Sequence, residues 1–276
     1  MTNNLDTEVV EGFGDEWSRF DQSVLTKQEQ LEIFNAYFSI FPWQKLPNDA
    51  VGFDLGCGSG RWAKLVAPRV GQLHCIDPSL AALNVAKKNC AELQNCQFHL
   101  ASVDEIPLED ESVDFGYSLG VLHHIPNTEE GIQSCVAKLK KGAPFLLYLY
   151  YSFENRPWWF KTIWKTSEMS RFFISKSPFL VRYFFSQVIA LMVYLPLAKS
   201  SLVLERLGIN VESLPLSQYR KRSFYVMRTD ALDRFGTRLE KRFSKAEISQ
   251  MMENAGLENI VFSNQAPYWC AVGYKK

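Results

Sequence analysis

The chain has 276 residues, 47% of them apolar and 14% aromatic, with 30 Lys/Arg balanced by 30 Asp/Glu. That is enough apolar material to fill the core of a large α/β domain carrying an insertion, and a formal net charge of zero disfavours a nucleic-acid binder. Six cysteines with no CxxC pair and no ligand-like spacing argue for reduced, cytosolic thiols and against a metal site.

The N-terminus, Met-Thr-Asn-Asn-Leu-Asp, is polar and acidic. It lacks the basic and apolar regions of a signal peptide, so a cytoplasmic protein is expected. Residues 1–23 mix glycine, acids and aromatics without a clear period. They read as an arm, either packed on the surface by Phe13, Trp17 and Phe20 or folded over a bound cofactor. Leu31, Phe34, Phe38 and Phe41 then recur at helical spacing and predict an amphipathic helix over 27–41, ending near Pro42.

Val51 to Asp54 has strand character, and Gly56, Gly58 and Gly60 follow at alternate positions before a helix that starts near Arg61. A strand that ends in a glycine turn lets backbone approach a ligand closely, and the next helix points free N–H groups at it. Strands are expected at Gln72–Ile76, Cys96–Ala101, Val113–Leu119 and Pro144–Tyr151. Helices are expected from Asp77-Pro78-Ser79 to about Leu93 and from Thr128 to Leu139. Alternation of this kind predicts a doubly wound, mostly parallel sheet with its ligand at the carboxyl ends of the strands. After residue 230, Ser244-Lys-Ala-Glu247 is a capping box, Gly256 closes that helix, and Leu257–Phe262 and Trp269–Tyr274 complete a seven-stranded sheet with an antiparallel last strand.

Between these parts, residues 152–230 are helical and crowded with aromatics. By formal count, residues 151–230 carry 12 Lys/Arg and 5 Asp/Glu, whereas residues 1–150 carry 11 and 20. The uncharged run Tyr183–Ala198 is shorter than the ~20 residues a spanning helix needs. The reading favours a lid or homodimer surface, with a peripheral membrane contact through 178–204 as the other use. Three segments result: an N-terminal arm and helix (1–45), an α/β domain (46–151 and 240–276) and a helical insertion after the fifth strand (152–239).

A nicotinamide or flavin site would want G-x-G-x-x-G; here the third glycine comes one residue early and Arg61 stands in its place. Asp54-Leu-Gly56-Cys57-Gly58-Ser-Gly60, Asp77, the stretch Val103–Phe115 and Ser118-Leu119-Gly120-Val-Leu-His123-His124-Ile-Pro126 together resemble the motifs of the class I S-adenosylmethionine-dependent methyltransferases. The resemblance covers about 46–150 and 240–276. It implies a Rossmann-like domain that holds S-adenosyl-L-methionine through Asp54, Gly56, Cys57, Gly58, Gly60, Asp77, Pro78, Ser102, Val103 and Leu119. Ser102 stands where the family often has Asp, so the expected adenine contact falls to this shorter side chain, to Asp104 or to the Val103 N–H.

Methyl transfer from a sulfonium is an in-line displacement helped by positioning and exclusion of water. A hydroxyl acceptor also gains from a base near neutral pKa, for which His124 is the candidate; Tyr151, at the end of the fifth strand, is a second catalytic candidate. Trp17, His123 and the basic-aromatic residues Tyr219, Arg220, Arg222 and Tyr225 are candidates for binding the substrate. The expected substrate is small and anionic or amphiphilic: a nucleotide sugar or glycan precursor, or a lipid or quinone head group. The alternatives are a non-catalytic cofactor-binding or scaffold protein of the same fold and, less favoured, a nucleotide-dependent oxidoreductase.

Overall fold

The computed structural model describes residues 4–276. The chain forms two compact units, one built from residues up to Ser23, 30–152 and 239–276, the other from residues 24–29 and 153–238.

The first unit is organised on a seven-stranded sheet of β1 (Val51–Leu55), β2 (Gln72–Asp77), β3 (Cys96–Leu100), β4 (Phe115–Leu119), β5 (Pro144–Tyr148), β6 (Leu257–Phe262) and β7 (Cys270–Lys275). The strand order is β3-β2-β1-β4-β5-β7-β6. β7 runs antiparallel to both β5 and β6, and the other pairs are parallel. The order reverses at β1, which lies between β2 and β4, so the crevice beyond β1 and β4 is the switch point where such sheets bind ligands. Alternation splits the core in two. Phe115, Tyr117, Leu146 and Tyr148 face one side with Phe34, Phe38 and Trp62, and Phe53, Leu55, Phe145 and Leu147 face the other with Ile132, Val136 and Ile248.

Glycine makes room at the centre of this sheet. Gly52 pairs with Phe115 and Gly116 with Phe53, and a Cβ on either glycine would lie 2.3 Å from the neighbour's ring. Two phenylalanines therefore lie across glycines on the adjacent strand.

Several boundaries shift from those read off the sequence. The arm is a helix, α1 (Thr7–Arg19), capped by the Asp6 carboxylate, which accepts from Glu8 N and Val9 N. Its period is hidden because Gly14 is an interior contact: a Cβ there would lie 2.6 Å from Ser79 Oγ. α2 (Lys27–Tyr37) ends before Phe38 and Phe41, which are nevertheless buried in the core. After the short α3 (Ala63–Val66), α4 (Leu80–Asn89) begins only after Ser79, whose hydroxyl accepts from Ala82 N. Asp77 and Pro78 thus stand outside it. α5 (Thr128–Lys138) follows β4. β5 stops at Tyr148, and Tyr151 makes an isolated bridge to Phe243.

The second unit is a bundle of α6 (Trp158–Ser175), α7 (Phe179–Ile189), α8 (Leu195–Arg206) and α9 (Phe224–Gly236). A π-helical stretch, Ala190–Tyr194, joins α7 to α8 in one continuous helix, Phe179–Arg206. Ala190, Tyr194 and Ala198 pack with Met227, Ala231 and Phe235 of α9. The first unit closes with α10 (Lys245–Asn254), which carries the reciprocal Ser244–Glu247 capping box.

Candidate functional site

The site is built at the carboxyl edge of β1, β2 and β4. Gly56, Gly58 and Gly60 have φ of +73°, +53° and +74°, a left-handed conformation that costs side-chain-bearing residues roughly 1–2 kcal/mol each. Space adds to this: a Cβ on Gly56 would lie 2.4 Å from Val121 and one on Gly58 2.9 Å from Trp17 Nε1. The segment after β4 and the α1 indole therefore both close on the turn. Cys57 turns its thiol into the core and offers only backbone to the turn.

Asp77, at the end of β2, accepts from Gly58 N through Oδ2 (2.8 Å) and from Ser79 N through Oδ1 (2.9 Å). Each carboxylate oxygen keeps a further lone pair. Burial outweighs the two N–H groups and pushes its carboxyl up to about 6. Asp54 is 1% exposed, and neither oxygen has a partner in hydrogen-bond geometry. Burial, reinforced by Asp77, raises it to about 8 against the opposing effects of the nearby Tyr117 hydroxyl and Arg61. A buried carboxyl without a partner is costly. One set beside a glycine turn is a place for a cation.

α1 lies over this edge. Besides Gly14 on Ser79 and Trp17 on Gly58, the Arg61 guanidinium is 5.5 Å from the Trp17 ring and 4.4 Å from Trp62. The chain before α1 is tied down as well. Asn4 exchanges hydrogen bonds with the Asn127 backbone (2.6 and 2.8 Å), and its N–H donates to Asp104 (2.6 Å). Asp104 is thereby engaged within the short turn Val103–Glu105, which follows Ser102. Val103 is buried, Ser102 half-buried, Leu119 buried at the end of β4, and Pro78 half-buried.

Beyond β4 the two histidines join a stack of rings. Phe13 meets His124 at 4.9 Å, His124 meets His123 at 3.9 Å, and His123 meets Tyr150 at 3.9 Å. The Arg242 guanidinium lies 5.1 Å over Tyr150 and pairs with Glu240 at 2.7 Å. His123 is fully buried with neither ring nitrogen bonded. Burial, then His124 and Arg242, hold its pKa well below the usual imidazole value, so it is a neutral packing element. His124 Nδ1 is 2.7 Å from the Leu239 carbonyl. A carbonyl only accepts, so Nδ1 carries the proton and Nε2 keeps the lone pair. Tyr151 is half-buried beside Tyr268, 5.6 Å away.

The remaining candidates belong to the second unit. Tyr219 packs on Tyr194 at 5.4 Å, and burial and Asp230 push its phenol up. Arg220 pairs with Glu205 at 2.7 Å, which Lys221 also reaches at 3.0 Å. Arg222 and Tyr225 flank Ser223, the cap of α9. The sequence marked Phe13 only as packing the arm and did not mark Glu240 or Arg242; with Tyr150 they converge from three distant segments, and none belongs to a local pattern. Among the described residues, no group of three His, Cys, Asp or Glu side chains could hold a metal ion.

Residues 53–147 match a protein-family model described as a methyltransferase domain. The chain is 32% identical over 105 residues to a ubiquinone biosynthesis O-methyltransferase of Alkalilimnicola ehrlichii, covering 37% of this chain and 41% of that protein. It is 29% identical over 125 residues to phosphoethanolamine N-methyltransferase 2 of Caenorhabditis elegans, covering 44% and 27%. The chain thus spans less than half the length of these curated relatives. Among solved structures, a SAM-dependent methyltransferase of Thermotoga maritima aligns over 97% of this chain and all of its own, with a TM-score of 0.51 and 14% identity. That likeness is one of fold.

Proposed function

We propose that this chain, which belongs to the class I S-adenosylmethionine-dependent methyltransferase family, transfers a methyl group to an oxygen or nitrogen of a small anionic or amphiphilic molecule. The observation that carries the reading is the unpartnered Asp54 carboxyl beside a left-handed glycine turn, with Asp77 anchored on the N–H of that turn. These residues fit S-adenosylmethionine. Asp54 offers a carboxylate to an ammonium, Asp77 has lone pairs left for two hydroxyls, and Gly56–Gly60 supplies close backbone. When bound, the cofactor supplies a methyl already activated on a sulfonium.

The chain's own residues then orient and exclude. α1 shields the turn from water through Trp17, and low dielectric strengthens the carboxylate contacts. His124, held in the Nδ1–H tautomer by Leu239, is the candidate base for an acceptor hydroxyl. The names of two curated relatives, a ubiquinone biosynthesis O-methyltransferase and a phosphoethanolamine N-methyltransferase, support a head-group substrate.

The test is incorporation of labelled methyl from S-adenosylmethionine into a panel of quinols, phosphoethanolamine and nucleotide sugars. His124→Gln is expected to lower kcat by ~10²-fold or more, while cofactor affinity stays unchanged. Cofactor binding without incorporation into any acceptor would favour the non-catalytic alternative.

A further inference from the structure

The second unit is packed inside out. Along the continuous helix Phe179–Arg206 the buried positions are Ser186, Ala190, Tyr194, Ala198 and Ser201, mostly small residues. The exposed positions are Leu180 (71%), Phe184 (60%), Leu191 (51%) and Met192 (68%), with Phe185 and Val188 beside them. A helix on the surface of a soluble domain places its large apolar side chains inward; this one does the reverse. On α6, Trp158, Met169, Phe172 and Phe173 are likewise exposed, whereas Arg171 and Ser175 are buried. Inside, charge is matched. Glu168 receives Arg234 and Arg171, Arg228 donates to Gln187 and to the Tyr183 hydroxyl, and Arg182 donates to the Gly236 carbonyl.

Charge says what covers the outer face. Between Glu168 and Glu205 there is no acidic residue, while Arg171, Lys176, Arg182 and Lys199 fall in that stretch. Arg171 and Arg182 turn inward, and Lys165, Lys176, Lys199 and Arg206 are exposed around the apolar face. From Leu180 to Ala198 that face runs about 27 Å at the helical rise and presents no charge. The helix is long and apolar enough to cross a membrane by length and composition, yet its other side is packed on α9, so it cannot be lipid-facing all round.

We propose that this face seats the protein on the surface of an anionic bilayer, the helix lying in the interfacial plane with its large side chains among the acyl chains. The flanking lysines snorkel to the phosphates. A second copy of the chain would set one cationic rim against another, which the charge pattern opposes; anionic lipid complements it. The inference concerns where the protein sits and is independent of the reaction it performs.

The test floats the full chain with vesicles of phosphatidylcholine alone or mixed with phosphatidylglycerol. Association is expected to be roughly tenfold or more stronger on the anionic vesicles and to weaken with added salt. Replacing Leu180→Gln, Phe184→Gln and Leu191→Gln together should abolish it. The thermal shift produced by S-adenosylhomocysteine should persist in that variant, so loss of fold and loss of the cofactor site are read separately from loss of lipid binding. The proposal is overturned if the wild-type chain does not float, or if the triple variant floats as well. It is also overturned if the wild-type chain is a stable dimer in solution that ignores vesicles and that the same substitutions split.

Discussion

The two units carry their charge differently. In the sheet unit two buried carboxyls, Asp54 and Asp77, lie together at the glycine turn, one of them without a partner in hydrogen-bond geometry, while Glu240 is paired with Arg242. In the helical unit the interior holds paired charges, Glu168 with Arg234 and Arg171 among them, and the large apolar side chains are outside. A buried charge that is matched supports a fold; one left unmatched at a ligand-binding edge marks a site. The contrast separates the region proposed to hold a small cationic molecule from the one proposed to meet a surface.

This comparison can be broken at four points. The largest effect is expected at Phe53, fully buried against Phe145 and Gly116: Phe53→Ala should cost about 3–5 kcal/mol in denaturant unfolding. Next is Glu168→Ala, which strips the carboxylate from two arginines and should destabilise the helical unit by about 1–3 kcal/mol, read as faster amide exchange in α6 and α9.

Asp54→Asn should do the opposite and leave the unliganded protein more stable than wild type at pH 8. The folded protein keeps this proton up to about pH 8, whereas an aspartate in the unfolded chain gives it up at pH ~4. The unfolded chain therefore loses the proton first, and stability falls as pH rises from about 4 to 8. The variant removes that slope, and with it the thermal shift on adding cofactor. The smallest effect is expected at Phe184→Ala, within about 0.5 kcal/mol of wild type in the absence of lipid. A loss there as large as at Phe53 would mean that the outer face is core after all.

Much of the sheet unit was legible in the sequence because its signals are local. Alternation gave the strands, Ser244 and Glu247 the cap, and the spacing from Gly60 to Asp77 the candidate cofactor edge. α1 was not, since Gly12 and Gly14 interrupt its apolar period and the reason for Gly14 is Ser79, sixty-five positions away. Residues 152–230 were readable as helical, aromatic and cationic. Which way their aromatics face was not, because composition carries no direction until a partner helix fixes one. The ring stack from Phe13 through His124 and His123 to Tyr150 is a tertiary product for the same reason.

The central claim is that Gly56–Gly60 with Asp54 and Asp77 holds S-adenosylmethionine. Calorimetric titration of the full chain with S-adenosylmethionine, beside Asp77→Ala, tests it most directly. The account predicts saturable one-to-one binding, weakened at least ~30-fold by the substitution, as expected for losing charged hydrogen bonds worth about 2 kcal/mol or more. Absence of binding to the wild-type chain, or equal affinity in the Asp77→Ala protein, would contradict it.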